Sequence, residues 1–193
     1  LGYGGKIAIV SDSKEITGRD GEIEIREVGE ITIYIASETT LMEQLPLEGL
    51  ISKASDRLAK AMSSSYSQIR ANHIAAHGEL YNRVKIDIKS DSEECKLPID
   101  QRIERFKDNQ DPSLAVLYYN FGRYSLISST RVGFLPPNLQ GLWANGTSTP
   151  WNGDYHTNIN VQMNHWPLEQ GNLSELYEPL ISLIKRSVPS GEE

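Results

Sequence analysis

The sequence predicts a mixed fold in which strands come first and helices follow. Three observations carry that prediction. Residues 6 to 35 alternate apolar and polar with period two, which suits strands that are wet on one face. From about residue 47 the apolar spacing changes to three and four, as in amphipathic helices. A helix start is written at Asp111-Pro112, because Asp caps the free N–H groups of a first turn and Pro suits the first helical position.

In chain order, Ile7 and Ile9, then Ile23 and Ile25, then Ile31, Ile33 and Ile35 mark the strands. The runs 22–26 and 30–35 flank a short connection containing Gly29, which predicts a hairpin turning on a left-handed glycine. GRDG at 18–21 is another turn signal before it. Leu50, Ile51, Ala54, Leu58, Ala61 and Met62 predict one helix, and Tyr66, Ile69, His73, His77, Leu80 and Tyr81 a second. Residues 84–88 are a brief alternating run and 89–96 are polar and loop-like. After Asp111, the residues Leu114, Leu117, Tyr118, Phe121, Leu126 and Ile127 form an apolar helical face reaching about Ser129. Gly133, Pro136, Pro137 and Gly141 keep 131–150 irregular, and ordered loops of that length are usually functional. Asn172 with Glu175 three residues on reads as a capping box before Leu176, Leu180, Ile181 and Ile184. Pro179 inside that pattern means a kink or the true start of the helix.

The 193 residues carry 19 basic and 26 acidic side chains, a net charge of −7. With no basic stripe to displace counterions, a nucleic-acid partner is not expected. Arg102, Arg105 and Lys107 read as a solvated helix face. The single cysteine, Cys95, excludes an internal disulfide and any multi-cysteine metal site. No apolar run has membrane-spanning length, so membrane insertion is not expected either. The chain opens as if within a strand and closes after a helix that nothing covers. It is therefore expected to be an internal piece of a longer protein.

The chemistry concentrates in WNGDYHTNINVQMNHW, residues 151–166, with four asparagines, two histidines, three of the aromatics and no Lys or Arg. Amide, imidazole and indole groups suit a neutral, hydroxyl-covered ligand: amides donate and accept, and a flat ring covers the apolar face of a pyranose. From His156 onward polar and apolar residues alternate strictly, with His156, Asn158, Asn160, Gln162 and Asn164 on one register. An extended chain through Asn160 would bring the first three to one side, roughly 7 Å apart. A helix is expected from there towards Trp166-Pro167. The same alternation also serves as an asparagine ladder that satisfies loop backbone. Trp143 and Trp151 either border a sugar pocket or anchor loops. His73 and His77 have metal-chelating spacing, but HExxH needs Glu where Ile74 stands, so they read as packing or surface. Glycoside cleavage requires paired carboxylates, and Asp154, Glu169, Glu175 and Glu178 lie near in sequence. Their spacing says nothing about a pair across a cleft.

The runs LPPNLQGLW, YHTNIN and MNHWPLE with the following NLSE closely resemble glycoside hydrolase family 95, the inverting α-L-fucosidases. The resemblance covers the whole chain. It implies that residues 1–45 close an N-terminal β-sandwich domain, that 46–90 are a helical linker, and that 91–193 open an (α/α)6 catalytic barrel. It implies that His156 contacts the fucose, that Asn160 acts as an unusual base on the attacking water, and that Asn158 helps to orient that water. Gln162, Asn164 and Trp166 are then expected to fasten the segment. His165 replaces the tyrosine of the family's usual MNYWP, which implies altered local packing and no new specificity.

The implied function is removal of terminal α-1,2-linked L-fucose from a fucosylated oligosaccharide with inversion. No cofactor and no metal are called for, and the parent is expected in the periplasm or outside the cell. The general acid and the carboxylate that activates the asparagine are expected downstream of residue 193, so this chain alone is expected to be inactive. Two other readings remain: a carbohydrate-binding or degenerate domain with the same amides and rings, and a domain junction whose asparagines only brace a loop. The sequence carries no signal of oligomeric state.

Overall fold

A computed structural model describes residues 2–40, 45–90 and 92–191. The chain forms two compact units, Leu1–Ile74 and Ala75–Glu193.

In the first unit, β1 (Tyr3–Ser11) pairs antiparallel with β4 (Ile31–Thr39), and β2 (Glu15–Arg19) with β3 (Glu22–Arg26). The strands lie where the period-two pattern puts them, but the hairpin does not. It turns at Asp20 and Gly21, both with positive φ (53° and 83°), and joins β2 to β3. That is the backbone a two-residue turn needs between right-twisted strands, and Asp-Gly supplies it. Gly29 is not in the left-handed region, and Glu27 is, with φ 50°. The 27–30 connection is held instead by Asp12, whose carboxylate accepts the N–H groups of Gly29 and Glu30 at 3.1 Å each.

Helix α1 (Leu47–Met62) packs on β1 and β4. Its buried Leu50, Ala54 and Leu58 recur every four residues, so one stripe faces the sheet. The missing Cβ of Gly4 permits that approach: a Cβ there would lie 3.3 Å from Leu47 and Leu50. Glu38, opposite Gly4 in the sheet register, pairs with Lys53 and Arg57 of α1. The covered face is therefore the one bearing Gly4 and Glu38. Ile33 and Ile35, on the other register of β4, are 55% and 73% exposed. The expected apolar face is not the face this helix covers. Helix α2 runs over Tyr66–Tyr81, as its spacing predicts.

The second unit is built around Leu126, Leu168, Leu173 and Leu176, with Leu80, Ile127 and Tyr177 packed against them. Residues 84–88 are loop, followed by a short 3-10 turn, Glu93–Lys96, and α3, Ile99–Arg105. Helix α4 spans Pro112–Ser129 and starts as predicted, with Asp111 accepting Leu114 N–H at 3.2 Å. Its buried residues are Arg123, Leu126 and Ser129, whereas Leu117, Tyr118 and Phe121 of the expected apolar face are exposed. After the loop come α5 (Asn160–His165), α6 (Pro167–Gln170), a 3-10 turn (Ser174–Tyr177) and α7 (Glu178–Gly191). Pro179 sits in the first turn of α7, where it has no helical N–H to lose, so the helix begins there and does not kink. The capping box is absent. Asn172 has φ 53°, and Glu175 pairs with Arg83 at 2.6 Å.

Arg102 corrects a further expectation. It is not on a solvated face: its guanidinium grips Asp111 through Nε to Oδ2 at 2.8 Å and through a second nitrogen to Oδ1 at 3.1 Å, with Ser113 Oγ also bound at 2.8 Å. The hydrogen bond from Arg102 holds the Asp111 carboxyl below the usual carboxylate range, with help from Ser113 and the Leu114 N–H. A depressed folded value stabilises the fold above the unfolded value of about 4, and the gain is lost as pH falls through the folded value. Thermal melts taken from about pH 6 downward should show acid destabilisation that Asp111→Asn, already weakened at neutral pH, largely lacks.

Candidate active site

The loop after α4 is tied down at several points. Asn138 and Gly141 form an isolated bridge, with Gly141 N–H donating to Asn138 O at 3.1 Å. Asn138 Oδ1 accepts Gln140 N–H at 2.8 Å, the Asx pattern that closes a tight turn. Gly141 has φ 69°, and a Cβ there would stand 2.5 Å from the Trp143 ring, so only glycine lets this tryptophan fold back over the turn. Tyr155 donates its hydroxyl to Pro136 O at 2.7 Å. Burial raises the pKa of that phenol against the opposing effect of Arg186, which keeps it in the donating form.

Leu139, Gln140, Pro150, Trp151, His156 and Asn160 line an open groove of about 440 Å³ above this turn. No Asp, Glu, Lys or Arg is among them, which suits a neutral polar ligand. The groove is shaped by backbone in an uncommon state. Trp151 and Asn152 are both left-handed, with φ 48° and 55°, and Gly153 follows at 61°. Asn tolerates that region, but for a bulky tryptophan it is an outlier that costs on the order of 1–3 kcal/mol. The turn presents the Trp151 ring 72% exposed at the groove.

The structure separates the members of the alternating register. Residues 157–159 form a turn, so the chain is not extended through Asn160. His156 and Asn160 meet at the groove because His156 O accepts Val161 N–H at 3.0 Å, closing the first turn of α5 back onto 156. Asn158 projects from the turn, exposed, and does not line the groove. Gln162 donates to Thr157 O at 2.5 Å, within the segment itself, and Asn164 donates to Asn138 O at 3.0 Å, so Asn164 ties the segment to the preceding loop. Trp166 does not, being 58% exposed. Trp143 borders a second groove beside the first, half exposed. His165 is buried, its Nδ1 2.6 Å from Val161 O and its ring stacked on Tyr177, a local packing role.

Among the described residues no group of three or more His, Cys, Asp or Glu is placed to hold a metal. His77 packs as expected, its ring stacked on Tyr81 at 5.3 Å and tilted against Tyr124 at 5.8 Å. Among the described residues no helix is long and apolar enough to cross a membrane. Two supports of the site were not legible in the sequence. One is Gln140, on the turn itself. The other is Arg123, whose buried guanidinium donates to Tyr81 O (2.6 Å), Leu80 O (2.9 Å) and Gly171 O (3.2 Å). The only sequence signal for Arg123 is a charge between the apolar positions Phe121 and Leu126, which a solvated arginine shares.

The catalytic-domain model of glycosyl hydrolase family 95 matches residues 65–193, a stretch that contains the groove and every residue lining it. The chain belongs to glycosyl hydrolase family 95. The mixture of helices and small antiparallel sheets is compatible with part of a family 95 domain. The chain is 38% identical over 134 residues to a probable alpha-fucosidase A of Aspergillus niger, covering 69% of this chain and 17% of that protein. It is 35% identical over 156 residues to alpha-L-fucosidase 2 of Arabidopsis thaliana, covering 77% and 18%. A probable alpha-fucosidase A of Aspergillus oryzae is 34% identical over 139 residues, covering 70% and 19%. The chain thus spans less than a fifth of the length of these relatives.

Proposed function

We propose that this chain supplies the water-handling side of the active site of an α-L-fucosidase that removes terminal α-1,2-linked L-fucose from oligosaccharides with inversion. The observation that carries the reading is the convergence of Trp151, His156 and Asn160 on one groove, lined by no Asp, Glu, Lys or Arg, inside the stretch that matches the family. Hydrogen bonding supports it further. Gln162 and Asn164 are engaged by backbone, whereas the His156 ring and the Asn158 and Asn160 amides make no hydrogen bond with other described residues. A ladder that braced the loop would engage all of them.

In this reading the Trp151 ring covers an apolar face of the fucose and His156 binds a ring hydroxyl. The Asn160 amide oxygen accepts a hydrogen bond from a water placed below the anomeric carbon, and Asn158 closes in from the adjacent turn to orient it. Inversion needs that water between the base and the acid, and an amide holds it without forming a covalent link to the sugar. An amide is a feeble base, so a carboxylate must polarise Asn160 and a second carboxyl must protonate the leaving oxygen. Among the described residues no carboxylate lines the groove, so both groups come from the rest of a full-length protein.

Incubating the full-length protein with 2′-fucosyllactose and following the reaction by proton NMR tests this reading. β-L-fucose should appear first and mutarotate afterwards, and the 193-residue chain alone should release none. Binding without turnover by the full-length protein would make it a carbohydrate-binding domain instead, and first release of α-L-fucose would exclude inversion.

A further inference from the structure

Gln140 stands on the wall between two grooves. It lines the groove of His156 and Asn160, and with Leu139 it also lines the second, about 440 Å³ in volume, that Trp143, Met163 and Asn164 border. Resting on the fucosidase reading, we propose that Gln140 is a specificity-determining residue that holds the sugar next to the fucose, seated in the second groove against Trp143.

Its backbone is fixed on both sides: the N–H donates to Asn138 Oδ1 at 2.8 Å, and the carbonyl accepts Trp143 N–H at 3.2 Å. Its side chain is not. Oε1 is shut from solvent and has no hydrogen-bond partner among the described residues. A buried amide oxygen without a donor is costly, and it is rarely left so unless something else satisfies it. The neighbouring polar groups of the second groove differ. Ser125 and Ser129 give their hydroxyl hydrogens to Phe121 O and Ser125 O, and Asn164 donates to Asn138 O. Gln140 is therefore the side chain lining this groove whose buried acceptor lacks a donor, and a hydroxyl of a sugar seated there would supply one. The Trp143 ring, held over the turn by Gly141, offers the flat apolar wall that a pyranose face needs. A disaccharide bent across residue 140 would occupy both grooves at once.

The test compares two substrates in the full-length protein: 2′-fucosyllactose, and α-L-fucosyl fluoride, which has no second sugar. In Gln140→Leu the ratio of kcat/KM for the disaccharide-bearing substrate to that for the fluoride should fall about tenfold, mainly through KM. Inhibition by free lactose should weaken by a similar factor. An unchanged ratio, with lactose inhibition intact, overturns the proposal. If Gln140→Leu fails to fold by circular dichroism, Gln140→Asn keeps the amide one methylene shorter and is held to the same ratio. An active wild type whose variant keeps the wild-type ratio strikes only the role of Gln140. A wild type that turns over neither substrate overturns both this role and the fucosidase reading.

Discussion

Asn160→Ala in the full-length protein should lower kcat on 2′-fucosyllactose by about a thousandfold while leaving KM within a fewfold. Asn160 is the first residue of α5, half-buried at the groove, and its amide is not engaged by other described residues. Removing it takes away little that holds the fold, so circular dichroism and the melting temperature should stay near wild type. It does take away the acceptor that aligns a water molecule, an interaction that strengthens as the water's proton becomes acidic in the transition state. A loss confined to that state appears in kcat rather than in KM. Asn158→Ala should cost less, because Asn158 lies outside the groove lining and must approach it. Steady-state kinetics showing Asn160→Ala within tenfold of wild type would remove the amide from the chemistry and leave the loop-bracing reading in its place.

Arg123→Ala should destabilise the second unit by about 3–5 kcal/mol, the range expected when one partner of a buried charged network is deleted. The guanidinium lies 2% exposed, donates to three carbonyl oxygens, and rests 5.5 Å over the Tyr81 ring. Two of those carbonyls, Leu80 O and Tyr81 O, belong to the last turn of α2, where helix carbonyls lack intrahelical partners and carry partial negative charge. The third, Gly171 O, closes α6 before the buried Leu173. One side chain thus joins the ends of two helices to the middle of a third, and alanine leaves Tyr81 O and Gly171 O without a donor and Leu80 O with only the Arg83 N–H at 3.4 Å. Arg123→Lys should recover only part of the loss, since one ammonium cannot reach three divergent oxygens with the geometry of the planar fork. Urea unfolding of the full-length protein, read at the transition that carries this unit, measures both changes. A loss under about 1 kcal/mol for alanine would mean that water replaces the guanidinium and that the site is wetter than its burial shows.

The helices α1 and α2 were legible to within a few residues because each carries a local signal: apolar positions spaced along one face. The start of α4 was legible for the same kind of reason, since Asp111 and Pro112 act on the first turn alone. Strand pairing was not legible. Period two shows that Ile23, Ile25, Ile31 and Ile33 lie in strands, but pairing depends on which turn closes, and Asp20-Gly21 reaches the left-handed backbone where Gly29 does not. A count of apolar residues favours Tyr118 and Phe121 as the buried face of α4. The fold instead buries Arg123, whose charge is matched by carbonyls that come from some 42 and 48 residues away. Arg102 misled in the same way, since Asp111 neutralises it from nine residues along the chain.

Within the candidate site, composition alone pointed to a neutral polyhydroxylated ligand, and the runs around 135–175 pointed to the family. His156, Asn158 and Asn160 stood on one register in the sequence, yet the turn at 157–159 brings His156 and Asn160 to the groove and leaves Asn158 outside its lining. The identity of the main elements was legible in the order of residues, because it depends on neighbours within one or two turns of chain. Which faces are covered, which charge lies buried and which amides meet a groove were decided only by the tertiary structure. Those outcomes depend on hydrogen-bond partners brought together from distant parts of the chain, and no local period encodes them.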